Sequence, residues 1–573
     1  MIRKITFLAF IFSLSNAFAQ SITFTDKANC LTARGGAAAA MDEQKNHVYV
    51  ANGFSATSGY TPEIERYNLV EDGWALYPTA TPTIAKRYGS MQILANTMYL
   101  FNGVTNTGSY NDKLESIDLN TGALTVNTNL NPNPVYSAGS AIFGDYLISF
   151  GGCSNSFNAT YSNKLYKIAP WGTWTALADM PVGLETKGEV MYGNGTNSKL
   201  YVFGGYKEIN AMTQNFETIT VGSPVALTDW INVAEAGTKL YKGKTFTANK
   251  YAEIIAYDAN VATQEASNIV WLISNPIVEL PANQAILNFD TKDGFNNGAT
   301  LQAYLITNWT GDIATATKTL LNATIASGTT TGYAANFTNS GNIALSGNAT
   351  NFRIAFKYVG GYTLPIATTT YQIDNVRVYR TSISNNIYVY DFTSNTWTTS
   401  NTVLPQSISA YAIAKDDVSN DKIYITGDYS NQTFTGVYNT TNNTFTTLNP
   451  INMIGRRHHN SVFWNNKLYL FGGNNTPNSL SVLASTQSAD VSTLAAEAFA
   501  TNEAFTVFPN PATDAVTVKE GIINVAVYTI DGKKINLQQN QNTINIAPLS
   551  KGMYVLYGEN NQGNTFTTKL VKE

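Results

Sequence analysis

Leu200-Tyr-Val-Phe-Gly-Gly205 is a short aromatic and apolar run stopped by two glycines, and versions of it return five more times along the chain. They are Val48-Tyr-Val-Ala-Asn-Gly53, Met98-Tyr-Leu-Phe-Asn-Gly103, Leu147-Ile-Ser-Phe-Gly-Gly152, Ile423-Tyr-Ile-Thr-Gly-Asp428 and Leu468-Tyr-Leu-Phe-Gly-Gly473. Their last residues lie 50, 49, 53, 223 and 45 positions apart, so 223 is one period of about fifty plus an insertion of about 173. A third short strand follows each run, as in Ile64-Glu-Arg-Tyr67, Leu114-Glu-Ser-Ile117, Leu165-Tyr-Lys-Ile168, Ile387-Tyr-Val-Tyr390 and Thr435-Gly-Val-Tyr438. A fourth opens on Trp74, Leu124, Trp174, Trp397 or Phe445.

Four strands per period of about fifty residues is the sequence signature of a β-propeller blade. The glycine doublet, aromatic third strand and tryptophan fourth strand together resemble the kelch family. The sixth repeat has a third strand near Ser479-Leu-Ser-Val-Leu483 but no aromatic fourth strand after it, whereas Ile22-Thr-Phe24-Thr at the other end of the chain resembles Asn443-Thr-Phe445-Thr. The N-terminal strand is therefore expected to complete the last of six blades and leave no open sheet edge.

Between Tyr206 and Arg380 the period disappears. Alternating strands such as Trp271-Leu-Ile-Ser-Asn-Pro276, Ala285-Ile-Leu-Asn-Phe289 and Phe352-Arg-Ile-Ala-Phe356, separated by Asn, Gly, Ser and Thr clusters, predict a jelly-roll β-sandwich. Its Phe216-Glu217 opening and Gln372-Ile-Asp-Asn-Val376 ending resemble the choice-of-anchor and carbohydrate-module-like sandwiches of secreted Bacteroidetes proteins. That resemblance implies a structural calcium ion where first and last strands meet, with Glu217 and Asp374 as the candidate ligands. The alternative is a turn cap at Glu217 and an Asx-turn at Asp374. Because the insertion follows Gly204-Gly205, it is expected to overhang the face on which kelch propellers bind ligands.

The two ends give an address. Met1-Ile2-Arg3-Lys4, an apolar run from Ile5 to Leu14 and Ala17-Phe18-Ala19 read as a secretory signal peptide over residues 1–19. No later segment is apolar enough to span a bilayer, so no transmembrane segment is expected in the mature chain. Near the other end, Phe508-Pro-Asn-Pro-Ala-Thr-Asp514, Gly552-Met-Tyr554 and the closing Lys569-Leu-Val-Lys-Glu573 resemble the C-terminal sorting domain of the type IX secretion system, a small immunoglobulin-like β-sandwich. The resemblance implies the secretion machinery as a partner. The expected organisation is all-β: signal peptide 1–19, propeller 20–206, inserted sandwich 207–380, propeller 381–486, linker 487–502 and sorting domain 503–573.

Composition agrees with such a chain and excludes other classes. The 573 residues are 44% hydrophobic, 12% aromatic and only 13% charged, with 33 Tyr and 42 Gly. A net charge of −4 offers no basic surface for phosphates, so nucleic acid is not an expected partner. Cys30 and Cys153 are too few for a disulfide scaffold and either pair with each other or pack separately.

For chemistry, counting back from each doublet gives one residue per blade leading into the central opening: Arg34, Arg87, Tyr136, Glu185, Ser409 and Arg457. Converging arginines would hold a carboxylate or sulfate, as on an acidic sugar, or else bond neighbouring carbonyls. The kelch resemblance also brings in copper radical oxidases and sialic-acid epimerases. Copper needs two well-placed histidines, and His458 and His459, adjacent in sequence, face opposite ways on a strand. For the epimerase, Arg34, Arg87, Arg457 and Glu185 match in type, without a complete acid–base pair. Trp171, Trp230, Trp309 and Trp464 either stack on sugar rings or pack in the core. The leading expectation is a non-enzymatic secreted or surface protein that binds a glycan or another surface protein.

Overall fold

A computed structural model describes residues 20–154, 160–169, 172–191, 198–419, 421–475, 481–494, 507–518, 522–529, 533–560 and 565–573. The signal peptide, Trp171, residues 495–502 of the expected linker and residues 503–506 of the expected sorting domain lie outside the described residues. The chain divides into two compact units, Met1–Ala489 and Asp490–Glu573.

Among the described residues the first unit holds six antiparallel sheets of four principal strands around a centre. Their innermost strands, Ala38–Asp42, Ser90–Leu94, Gly139–Phe143, Gly188–Met191, Ala412–Lys415 and Asn460–Trp464, lie side by side in that order and close back on the first. Within each sheet the strands run as a meander from the centre outward. The sixth takes its outer strand from the N-terminus: Ser21–Lys27 pairs antiparallel with Thr486–Asp490, setting Phe24 against Ala489. This places the third strand of the last repeat later than Ser479–Leu483. It also corrects the start of the linker, because Gln487 is a buried strand residue that accepts from Ile454 N–H and the Arg456 guanidinium.

The repeated residues have separable jobs. In five sheets the last glycine of the doublet donates its N–H to the carbonyl that leads into the next sheet: Gly53 to Lys86, Gly103 to Val135, Gly152 to Leu184, Gly205 to Ile408 and Gly473 to Arg34, at 2.7–3.0 Å. Backbone must approach backbone there. At Gly205, with φ +107°, a Cβ would stand 2.9 Å from the Glu185 carbonyl oxygen, which only glycine avoids. The fifth repeat carries Asp428 instead, and its carboxylate accepts from the N–H groups of Ser409, Ser430 and Asn431. The third-strand tyrosines Tyr67, Tyr390 and Tyr438 bury their rings and bond Asp72, Asn395 and Asn443, turn residues with positive φ. Each ring also meets the aromatic that opens the fourth strand or an aromatic of the next sheet, as Tyr67 meets Trp74 and Phe471. Seams built this way stabilise by roughly 1.5–3 kcal/mol per buried side chain.

The insertion forms two further sheets that share one apolar core. One contains Lys242–Phe246, Asn249–Ile254, Thr370–Ile383 and Ile286–Gly294, with Tyr206–Gln214 paired to Thr370–Ile383. The other contains Ile231–Ala236, Asn268–Ile273, Arg353–Gly360, Thr300–Thr307 and Thr317–Leu320. Alternate residues such as Leu287, Phe289, Ile354, Phe356 and Ile373 fill the space between them.

Among the described residues the second unit has two four-stranded sheets around Val516, Val527, Ile544, Leu556 and Leu570. Cys30 and Cys153 are both buried and unbonded, which settles their alternatives for separate packing.

Candidate functional site

Five of the six central lead-ins include an antiparallel bridge: Gly35 with Phe54, Arg87 with Val104, Tyr136 with Cys153, Glu185 with Tyr206 and Arg457 with Asn474. Gly35, not Arg34 as the repeat spacing predicts, therefore holds the first position, one residue further along. Alternation along an extended chain turns that slip into opposite faces. Arg34 points into the first sheet, 2% exposed, paired with Glu65 and bonded to the Asn52 and Glu63 carbonyls at 3.1 Å. The corresponding Lys86 pairs with Glu115, and Arg456 donates to Gln487 and to the Gly472 and Ser485 carbonyls. Arg34 is thus removed from the mouth set.

The next residues form a band of backbone bonds around the opening. Gly36 donates to His458, Tyr88 to Gly36, Ser137 to Tyr88, Thr186 to Ser137 and His458 to Ala410, at 2.7–3.2 Å. Between the fourth and fifth sheets the buried Tyr411 hydroxyl takes this place, lying 3.2 Å from Thr186 Oγ1 and accepting from Lys187 N–H. Left-handed backbone at Tyr88, Ser137, Ala410 and His458 sets these groups around the mouth.

Above this band lies a cavity of about 810 Å³. Arg87, Tyr136, Glu185 and Ser409 line it, together with Tyr60, Tyr88, Tyr110, Lys187, Tyr429 and His458. Its far wall comes from the insertion: Tyr206, Glu208, Arg377 and Tyr379, on the paired strands Tyr206–Gln214 and Thr370–Ile383. Arg457 lies beside it, stacked 3.9 Å from the Tyr429 ring centroid. Sequence reasoning missed the wall residues because strand pairing brings Glu208 and Arg377 together from 169 positions apart. Lys187, two residues beyond Glu185, carried a weaker signal: alternation puts it on the same side of the chain.

The charges fall into distinct environments. Arg377 pairs with Glu208 at 2.7 Å, and the Tyr206 hydroxyl donates to the same carboxylate. Burial raises Glu185 to about 7; hydrogen bonds from Ser137 and Tyr136 oppose the rise and Glu208 adds to it. Burial lowers His458 to about 3, with Arg457, Lys187 and Arg87 adding to the effect. Lys187 is lowered by burial. The site therefore holds a carboxyl group that exchanges its proton near neutrality, a neutral imidazole and several cations. His459 also lines the cavity, with its Nε2 3.0 Å from Thr426 Oγ1.

The calcium candidates are near one another without forming a cation cage. Burial raises Asp374 to about 6, and Asp290 and Glu217 contribute. Its oxygens accept from Asn249 Nδ2 at 2.9 Å and Asn375 N at 2.7 Å, while Glu217 accepts from Lys250 N at 3.0 Å. These N–H donors occupy positions a cation would need, and no group of three or more His, Cys, Asp or Glu side chains is arranged to hold a metal among the described residues. As arranged, the residues do not fit a calcium ion. Trp230 and Trp309 pack against core clusters of the insertion and Trp464 against the seam between the sixth and first sheets.

Among solved structures, the chain resembles one titled "Structure of YjhT" at 8% identity and a TM-score of 0.41, over 80% of this chain and 95% of that one. No curated protein matches. No described helix is long and apolar enough to cross a membrane. Residues 506–573 match the secretion system C-terminal sorting domain, the type IX signal recognised by that machinery, which makes the chain a secreted or outer-membrane cell-surface protein.

Proposed function

We propose that this exported chain is a six-bladed kelch-type propeller carrying a jelly-roll sandwich, and that it binds glycans outside the cell in the cavity between the two. The tyrosine-rich cavity of about 810 Å³ carries the reading. Its volume suits a sugar-sized ligand better than a flat protein surface, and tyrosine rings supply both stacking faces and hydroxyl partners. A glycan array probed with the full chain tests it. Retention of a sugar class, weakened by Tyr110→Ala, supports the reading; retention of none overturns it.

Glu185 favours a second reading, a carbohydrate-active enzyme, because a carboxyl group titrating near 7 in a cavity suits general acid–base work. Following the anomers of candidate sugars by NMR separates the two readings. Faster interconversion with the native chain, lost in Glu185→Gln, favours catalysis.

A further inference from the structure

We infer that the cavity contains an oxyanion subsite, in which Arg87 and Lys187 take the carboxylate or sulfate group of a bound sugar. This rests on reading the cavity as the ligand site and adds the charge of the ligand.

The cations around the ring differ in their partners. Arg34, Lys86 and Arg456 have polar or acidic partners inside their sheets, and the wall's Arg377 has Glu208. Arg87 differs. Its guanidinium lies 5.3 and 5.1 Å from the ring centroids of Tyr60 and Tyr88, and its buried Nε has no hydrogen-bond partner. Lys187 lines the same cavity, and no ion pair joins it or Arg87 to a carboxylate among the described residues. Arg87, Lys187 and His458 all line this one cavity. Tyrosine faces hold a guanidinium in place without using its N–H donors, which remain available to a planar or tetrahedral oxyanion.

Glu185 is the one cavity carboxylate outside the Arg377–Glu208 pair, and its raised affinity for a proton lets it be neutral below about pH 7. With that proton in place the cavity has an excess of two positive charges, which an anionic ligand neutralises. Both cations are half-buried, so pairing with an anion is screened less than at an open surface.

The test titrates the full chain at pH 6 with four probes: glucose, glucuronate, galactose 6-sulfate and inorganic sulfate. The expected result is binding of the charged probes about 10- to 100-fold tighter than glucose, the advantage lost in Arg87→Gln and partly regained in Arg87→Lys. Relative affinities of glucuronate and galactose 6-sulfate tell carboxylate from sulfate. Equal binding of glucose and glucuronate, unchanged in Arg87→Gln, overturns the oxyanion subsite and leaves the glycan reading standing. Arg87-dependent binding of inorganic sulfate with no sugar bound does the reverse. If no probe binds, the subsite falls. Thermal unfolding of each variant checks that lost binding is not lost fold.

Discussion

Lys86 and Arg87 are neighbours in sequence and opposites in circumstance. Lys86 has no exposed surface and is paired with Glu115, itself buried, inside the second sheet. Arg87 faces the cavity across two tyrosine rings. A single step along extended backbone moves a side chain from inside a sheet to the open centre of the ring. Lys86 thus has its partner inside a sheet, whereas Arg87, one residue on, lines the cavity. Mutations should separate the two layers, in the sheet and at the cavity, by kind of effect: stability for the first, binding for the second.

The largest effect is expected where a buried charge loses its partner. Lys86→Ala leaves Glu115 buried with only the Ile84 N–H to accept from, a loss of about 3–5 kcal/mol. The double replacement Lys86→Met with Glu115→Leu removes both charges and should recover most of that loss. Denaturant midpoints of the three proteins decide the matter. If Lys86→Ala unfolds at the native midpoint, the inner layer is not structural.

The same alternation explains how far the sequence could be read. The glycine doublets and third-strand tyrosines mark places where backbone approaches backbone or a ring bonds a turn, requirements that return with each period of about fifty residues. They left a regular trace, from which the all-β class, the period and the closing role of Phe24 were legible. The mouth was harder. Arg34 was assigned to it because a one-residue slip costs nothing in a count yet reverses the side chain's direction. The same count leads to Arg87, Tyr136, Glu185 and Ser409, which line the cavity, whereas Glu208 and Arg377 reach it through a pairing that closes over the whole insertion. The calcium expectation failed at the level of single atoms, since N–H donors rather than open space surround Asp374.

Glycine substitutions test the contacts between sheets more gently. Gly205→Ala meets both a φ of +107° and the Glu185 carbonyl, and should cost about 1–3 kcal/mol. Gly222, with φ +85° and nothing within 4 Å of an added Cβ, provides the control, at about 1 kcal/mol from backbone strain alone. Equal losses in thermal unfolding would mean that the close approach at Gly205 contributes nothing.

Glu185 gives the comparison a pH dependence. Its folded value of about 7 lies above the ordinary 4.5, so the folded state holds the proton more tightly. The associated stability is fully present below about pH 4.5 and is lost as pH rises through 7, a change on the order of 3 kcal/mol. Glu185→Gln should remove that part of the pH profile and gain on the native chain at pH 8. Parallel profiles from pH 4 to 9 would show that Glu185 is not desolvated.

The smallest stability effect belongs to Arg87, and its smallness matters. Arg87→Gln removes two cation–π contacts and no ion pair, so its cost should stay within about 1 kcal/mol. Lys86→Ala, one residue away, is expected to cost several times more. A cost that small would leave Arg87 outside the structural layer, as the proposed oxyanion subsite requires. Unfolding of Arg87→Gln as severe as that of Lys86→Ala would place both residues in the structural layer and erase the distinction between them.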